Sequence, residues 1–289
     1  MADTTSENQR EKAQLLRALH VGPRILVLPN AWDAASARLY EDAGFPAIGT
    51  TSAGVAYTLG YADGQRAPRE EALFVVRRIT RSVQVPVTAD IEAGYGSDSI
   101  EEVVKTARLV LAAGAVGVNL EDMDSGDTAL VAISLQVEKI QALRDLGDEI
   151  GIPLVINART DAFHIERLTS AERFRLAVER ANAYSSAGAD CLFVPFVTDA
   201  ETIGKLAKAV AGPLNVLAMA TTPPVADLER LGVRRVSVGS GPHRATLALV
   251  RRISHELRDE GTYRSFTEHA IPYTEMNEMF SGRSHETHA

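Results

Sequence analysis

Eight short apolar runs, separated by stretches of helical periodicity, limit what this 289-residue chain can fold into. The runs are Ile25–Leu28, Ala47–Thr50, Val85–Asp90, Val116–Leu120, Leu154–Ala158, Cys191–Val194, Asn215–Ala218 and Arg235–Val238. Runs without polar alternation read as strands buried on both faces of a parallel sheet. Between them, Ile100, Val103, Val104, Ala107, Val110 and Leu111 form one helical stripe; Phe174, Ala177, Val178, Ala181 and Tyr184 form another. Ser99-x-x-Glu102, Thr169-x-x-Glu172 and Thr198-x-x-Glu201 carry the capping-box pattern of helix starts, and Pro68 suits a first helical turn. Ala43-Gly44, Ala113-Gly114, Ala187-Gly188 and Leu231-Gly232 each close a helix just before a strand, where glycine takes the left-handed conformation without steric cost. Eight β-then-α units predict a (β/α)8 barrel over residues 1–258, with a short N-terminal extension. An open dinucleotide-binding sheet fits less well, because its glycine fingerprint is absent. Residues 259–280 carry Tyr263, Phe266, Tyr273, Met276, Met279 and Phe280, more apolar surface than a solvated tail needs, and are expected to pack on another subunit. Residues 281–289 read as a disordered tail.

Three of the runs end in acids. Val85–Ala89 leads into Asp90-Ile91-Glu92-Ala93-Gly94-Tyr95-Gly96, Ala115–Val118 into Asn119-Leu120-Glu121-Asp122, and Pro153–Ile156 into Asn157-Ala158-Arg159-Thr160-Asp161. Ligand sites in parallel sheets lie beyond the carboxyl ends of the strands. Carboxylates meeting there repel unless a cation neutralises them. Asp90, Glu92 and Glu121 are therefore candidate ligands for Mg2+, which needs only one or two direct carboxylates and keeps several waters. Each acid could instead cap a helix or pair with an arginine. Asp122 starts the loop and has a structural reading. Arg159 suits bidentate capture of a substrate carboxylate, or a salt bridge to the same acids. Thr51-Ser52-Ala53-Gly54 reads as a small-residue turn with donors for an anionic oxygen. Asp63 lies farther along the same connection. Tyr57, Tyr95 and His164 fall near the same ends, where packing roles are commoner than proton exchange.

A net charge of -8 argues against nucleic acid or a lipid surface as the main partner. The single cysteine, Cys191, excludes an internal disulfide framework and fits a reducing cytoplasm; it reads as core. No signal-peptide core or membrane-length apolar run is visible. His285-Glu286-Thr287-His288 is one residue short of a zinc-protease spacing. His243, in the glycine-rich stretch after the eighth run, fits either a phosphate-binding turn or a plain tight turn.

From Leu28-Pro29-Asn30-Ala31-Trp32-Asp33 to about Leu257, the chain resembles the isocitrate lyase/phosphoenolpyruvate mutase superfamily. Asp90-x-Glu92-x-Gly94-Tyr95-Gly96, Leu120-Glu121-Asp122 and Ala158-Arg159-Thr160-Asp161 carry the resemblance. It implies a helix-swapped barrel, a homotetramer, Mg2+ (Mn2+ as substitute) and small 2-oxo or 2-hydroxy acids. By motif, Thr51, Ser52 and Ala53 match the substrate loop, Asp63 an acid near the metal, Asp90, Glu92 and Glu121 the metal acids, and Arg159 the substrate arginine. The departures are informative. Where the lyases have a Lys-x-Cys-Gly-His loop and the phosphonomutases a lysine loop, this chain has Met123–Leu130, with neither cysteine nor lysine. Pro195 stands at the position of a strand-six acid or histidine, and Met219 at that of a strand-seven asparagine. The expected activity is Mg2+-dependent C–C cleavage of a small 2-oxo acid or 2-hydroxy diacid through a metal-stabilised enolate, of decarboxylase or acyl-releasing type. The alternatives are P–C chemistry and a barrel that binds a 2-oxo acid without turnover.

Overall fold

Every strand pairing that builds the sheet is parallel, in the order β1-β9-β8-β7-β6-β5-β4-β3-β2. The computed structural model describes residues 4–96, 98–124 and 129–281. The strands are β1 (Leu26–Leu28), β2 (Asn30–Ala31), β3 (Ile48–Thr50), β4 (Val87–Asp90), β5 (Gly117–Glu121), β6 (Val155–Arg159), β7 (Cys191–Phe193), β8 (Leu214–Leu217) and β9 (Arg235–Ser237). β1 falls within the first apolar run, and β2 resumes just beyond it, after Pro29, which has no N–H to give to a ladder. β1 pairs with β9 and β2 with β3, so the two segments join the ends of the sheet and make a barrel of eight strand positions. Asn30 fastens this seam: its amide donates to Thr50 O at 2.8 Å, and its Oδ1 accepts from the N–H groups of Val238 and Gly239, each at 2.9 Å.

The helices of the barrel unit are α1 (Thr4–Val21), α2 (Ala34–Asp42), α3 (Ser52–Leu59), α4 (Arg69–Ser82), α5 (Ile100–Ala112), α6 (Ile133–Ile150), α7 (Ser170–Ser186), α8 (Ala200–Ala209) and α9 (Val225–Arg230). The expected glycine ends hold, with φ of +84° at Gly44, +92° at Gly114, +105° at Gly188 and +96° at Gly232. The stripes of α5 and α7 are inward: Val103, Ala107, Val110, Leu111, Ala177, Ala181 and Tyr184 are buried. Thr169 makes the complete capping box, whereas α8 starts one residue later than expected, on Asp199 rather than Thr198. The stretch read as a turn at Thr51–Gly54 is also corrected: Thr51 is an N-cap and Ser52 begins α3. Four apolar or small residues in sequence suit a helix docked on the sheet as well as they suit a turn, and the cap decides between them.

The N-terminal extension is the long helix α1, lying across the amino ends of the strands. Ala13, Leu16 and His20 are buried beneath it. Gln9 donates to Leu111 O and Ala115 O, Arg17 pairs with Asp190 at 2.8 Å, and Arg235 contacts His20 Nε2 at 3.3 Å. Burial, with the Arg235 charge adding to it, lowers His20 to about 4, and its Nδ1 lies 2.8 Å from Leu16 O. Cys191, the first residue of β7, is fully buried, and burial pushes its thiol up to about 12. It is core, at the end of the strand away from the acids.

By internal contacts the chain divides into Met1–Ser240 and Gly241–Ala289. The second unit contains α10 (Gly241–Asp259), α11 (Arg264–Thr267) and α12 (Tyr273–Ser281). His243 falls in the first turn of α10. Glu256 ties α11 to α10 by accepting from Thr262 Oγ1 and from the N–H groups of Arg264 and Ser265, and these donors lower its carboxyl to about 2. Leu247, Val250, Leu257, Tyr263, Tyr273 and Phe280 are exposed. The His285–His288 pair lies outside the described residues.

Candidate active site

The strand-end acids and Arg159 share one face because parallel neighbours end together: Asp90 is level with Asn119, and Glu121 with Arg159. Asp90 is the most firmly held. Its backbone N–H donates to Thr50 Oγ1 at 2.9 Å, Oδ2 accepts from Ser52 N at 2.9 Å, and Oδ1 accepts from Asn119 Nδ2 at 3.0 Å. Asn119 is itself fixed by Asn157, whose amide donates to Asn119 Oδ1 at 2.7 Å. The first N–H of α3 thus meets a carboxylate, the charge a helix N-terminus favours.

Glu92, Gln65 and Tyr95 all have left-handed backbones, with φ of +52°, +57° and +60°. Such residues persist only where surrounding contacts over-determine them, and they cluster at functional sites. Here the contacts are mutual: Gln65 N donates to Glu92 Oε2, and Tyr95 N donates to Gln65 Oε1 at 2.7 Å. Burial, then the charges of Asp90 and Asp63, push the Glu92 carboxyl up to about 8. Asp63 is open to solvent at the rim, with its carboxyl against Ser52 and in the field of Asp90. The loop around it partly shields the carboxyl from water, and this with the Asp90 charge raises it. Asp63, which had no reading from its local sequence, is thereby placed beside the acids.

Arg159 lies between two carboxylates. Its Nη1 is 2.9 Å from Glu121 Oε2, while Nε and Nη2 donate to Asp161 Oδ1 at 3.0 and 2.7 Å. The guanidinium stands 5.8 Å from the ring centroids of both Phe193 and Phe196. Burial opposes its charge, but Asp161 and Glu121 outweigh burial and keep it protonated. Burial raises Glu121, with Arg159 opposing. The salt-bridge reading of Arg159 is therefore realised. These bonds use one N–H on each of its nitrogens, leaving a second on Nη1 and Nη2.

Among the described residues no three His, Cys, Asp or Glu side chains converge as a ready metal cage. Asp63, Asp90 and Glu92 do gather uncompensated negative charge, visible in the upward shifts of Asp63 and Glu92. That combination suits a hydrated Mg2+ held directly by Asp90, with the other acids reaching it through water.

The profile of the phosphoenolpyruvate phosphomutase family matches residues 16–258. This chain belongs to that family. It is 30% identical to the 2-methylisocitrate lyase of Escherichia coli (strain K12), over 88% of this chain and 87% of that one. It is 30% identical to the oxaloacetate decarboxylase of Bradyrhizobium sp. (strain BTAi1), over 86% and 85%. A solved 2,3-dimethylmalate lyase, described as a PEP mutase/isocitrate lyase superfamily member, superposes with a TM-score of 0.80 at 26% identity, covering 93% of this chain and 94% of that one.

Within this family member the Glu121-Asp122 pair has divided roles. Asp122 is fully buried; its Oδ2 accepts from Tyr184 Oη at 2.6 Å and Arg180 Nη1 at 3.0 Å, and its Oδ1 from Asp161 N at 2.9 Å. This bears out a structural role for Asp122. Arg180 was missed from the sequence because it sits in the apolar stripe of α7, although a charge among buried stripe positions was a usable signal. The segment that departs from the lyases is closed by a bridge between Met123 and Leu130, and residues 125–128 lie outside the described residues. Tyr57 is exposed on α3, and His164 lies 5.2 Å from the Phe196 ring.

Proposed function

We propose that this protein is a Mg2+-dependent enzyme that breaks a C–C bond in a small 2-oxo acid or 2-hydroxy diacid, as a decarboxylase or acyl-releasing enzyme. One observation carries the reading: a single fixed guanidinium, Arg159, stands beside the excess carboxylates of Asp63, Asp90 and Glu92 on one strand-end face. Such a face holds a carboxylate substrate at the arginine and a divalent cation at the acids. The 30% identical oxaloacetate decarboxylase is consistent with this chemistry.

When bound at Asp90, Mg2+ supplies positive charge to the substrate oxygens on which negative charge develops as the bond breaks. The chain's own residues do the rest. Arg159 offers its two remaining N–H groups to the substrate carboxylate plane. Thr51, the N-cap, and Ser52 and Ala53, which begin α3, form the proposed substrate-holding segment. Asp63, whose carboxyl is shifted upward by burial and by the Asp90 charge, is the group at the rim proposed to exchange a proton with the substrate. Glu92 and Glu121 would help to hold the ion by hydrogen bonding to waters bound to it. The segment Met123–Leu130 has no lysine or cysteine, which favours reactions that need neither group from that loop, decarboxylation among them.

Incubating the protein and Mg2+ with 2-oxo acids, 2-hydroxy diacids and phosphonopyruvate, followed by NMR, tests the proposal. Carbon dioxide, pyruvate or glyoxylate is the expected type of product. Turnover of phosphonopyruvate alone, to pyruvate plus phosphate or to phosphoenolpyruvate, would move the protein to P–C chemistry, and no product from any of them would leave a binding barrel.

Arg159→Lys should lower kcat/KM by about one to two orders of magnitude, since loss of a charge-assisted hydrogen bond costs about 1.5–3 kcal/mol. Because Arg159 also bridges Glu121 and Asp161, the melting temperature should fall too. Unchanged kinetics in the folded variant would sink the substrate role and leave only the structural one.

The assembly is proposed to be a homotetramer, with the helices of residues 241–281 exchanged between partners. The exposed Leu247, Val250, Tyr263 and Tyr273 support this, as apolar surface of that extent normally finds a partner. Light scattering should give four times the chain mass; a stable monomer at micromolar concentration contradicts it. No helix among the described residues is long and apolar enough to cross a membrane, and a cytoplasmic location is proposed on that and the single reduced cysteine.

A further inference from the structure

The end of the barrel opposite the acids carries a groove of its own, between α1, α4 and the C-terminal end of α5. It holds about 470 Å3. Lys12 of α1 and Arg77 and Arg81 of α4 line it, over a floor of Ala112, Ala113 and Gly114. No carboxylate is among the described residues that line it, so three positive charges gather here in a chain of net charge -8. Cations near helix ends ordinarily serve the unpaired carbonyls there. Here those carbonyls have other partners. Gln9 Nε2 donates to Leu111 O at 2.8 Å and to Ala115 O at 2.9 Å, and Thr80 Oγ1 donates to Ala113 O. Arg77 and Arg81 are exposed, and neither forms an ion pair among the described residues. Their guanidiniums are available to a ligand.

Past Arg77 the groove continues into an apolar arm of about 270 Å3, bounded by Leu73, Phe74 and Leu109. Arg77, Ala112 and Ala113 line both arms, so one ligand can span them. Phe74 and Leu109 are apolar and yet exposed. The Arg77 guanidinium marks the junction, 5.4 Å from the Phe74 ring centroid. The carboxylate that lines this second arm, Glu70, lies 3.5 Å from Arg69 Nε, which offsets its charge.

We infer that this groove is a second binding site, for a small organic anion with at least two negative charges and an apolar part, the chemistry of a nucleoside diphosphate. Its charges lie with Lys12, Arg77 and Arg81, and its apolar part lies against Phe74 and Leu109. A guanidinium meets phosphate oxygens with paired donors, which a point charge cannot do. The basic arm alone has the volume of an ordinary small-molecule pocket. The site is at the far end of the barrel from Asp90 and Arg159 and does not depend on the chemistry proposed there.

Calorimetric titration of the full chain with ADP and with inorganic pyrophosphate tests this, with chelator present in place of Mg2+. Without a metal, the carboxylates at the other end of the barrel repel both probes. ADP should bind at least about tenfold more tightly than pyrophosphate, because only ADP fills the apolar arm. Arg77→Gln and Arg81→Gln should each weaken ADP by about tenfold or more. Phe74→Ser should remove the advantage of ADP over pyrophosphate. Arg78 is exposed on the same helix but does not line the groove, so Arg78→Gln should leave the affinity unchanged. These substitutions fall on exposed side chains, and the melting temperature should stay near that of the parent. No binding of ADP, or equal affinities for the two probes, overturns the inference. So does an equal loss in Arg78→Gln and Arg81→Gln, which would mean diffuse surface attraction only.

Discussion

Asp90→Ala should reduce turnover by about three orders of magnitude or more while leaving the fold intact. Loss of the residue that would hold the cation directly removes several kcal/mol of charge stabilisation where the bond breaks, and each 1.36 kcal/mol is about tenfold in rate. The stability forecast differs because two effects oppose. Truncation deletes the acceptors for Ser52 N and Asn119 Nδ2, each bond contributing about 1 kcal/mol. It also relieves the repulsion that helps raise Glu92 and Asp63. The melting temperature should therefore shift little, and Glu92 should titrate lower than in the parent. Calorimetric titration with Mg2+ should show binding in the parent and none in the variant. Full activity in Asp90→Ala, or in the parent with excess chelator, removes the metal from the mechanism.

Arg180→Ala should be the most destabilising single change outside the site, by about 3–5 kcal/mol. Asp122 is fully buried and takes three hydrogen bonds, one of them from Arg180 at 3.0 Å. Removing the guanidinium leaves a buried carboxylate with Tyr184 Oη and one backbone N–H as its donors, and also strands Val131 O, which Arg180 Nη2 reaches at 2.8 Å. A loss of that size lowers the melting temperature by on the order of 10 °C for a chain of this length. Replacing both partners, as Asp122→Asn with Arg180→Met, should recover part of the loss, because no charge then remains unpaired. The network also reaches the site: Asp122 accepts from Asp161 N, and Asp161 holds Arg159. Arg180→Ala should consequently lower kcat/KM even at temperatures where it stays folded. Denaturant unfolding measures the stability change, and a loss below about 1 kcal/mol would show that the pair does not depend on its burial.

Local patterns made most of this architecture legible from the chain alone. Apolar runs of strand length, helical stripes and glycines past helix ends depend on neighbours within a few residues, and all eight strand positions follow from them. The strand-end acids were legible for a related reason. In a parallel barrel every strand ends on the same face, so Asp90, Glu121 and Arg159 meet whatever their distance in sequence. Partner choice was not legible in this way. Glu121 and Asp122 are consecutive and chemically similar, yet one reaches Arg159 at the mouth and the other is buried against α7. A strand sends successive side chains to opposite faces, and only the packed helix shows which face carries Arg180 and Tyr184. Asp63 and Phe196 likewise stand on connections whose course is set by left-handed residues and by contacts with distant segments. The sequence by itself determined the barrel and the end of it where Asp90, Glu121 and Arg159 gather, because periodicity is local. Tertiary structure alone decided which acids face the cavity and what lies opposite them, because burial and charge pairing depend on residues far away in the chain.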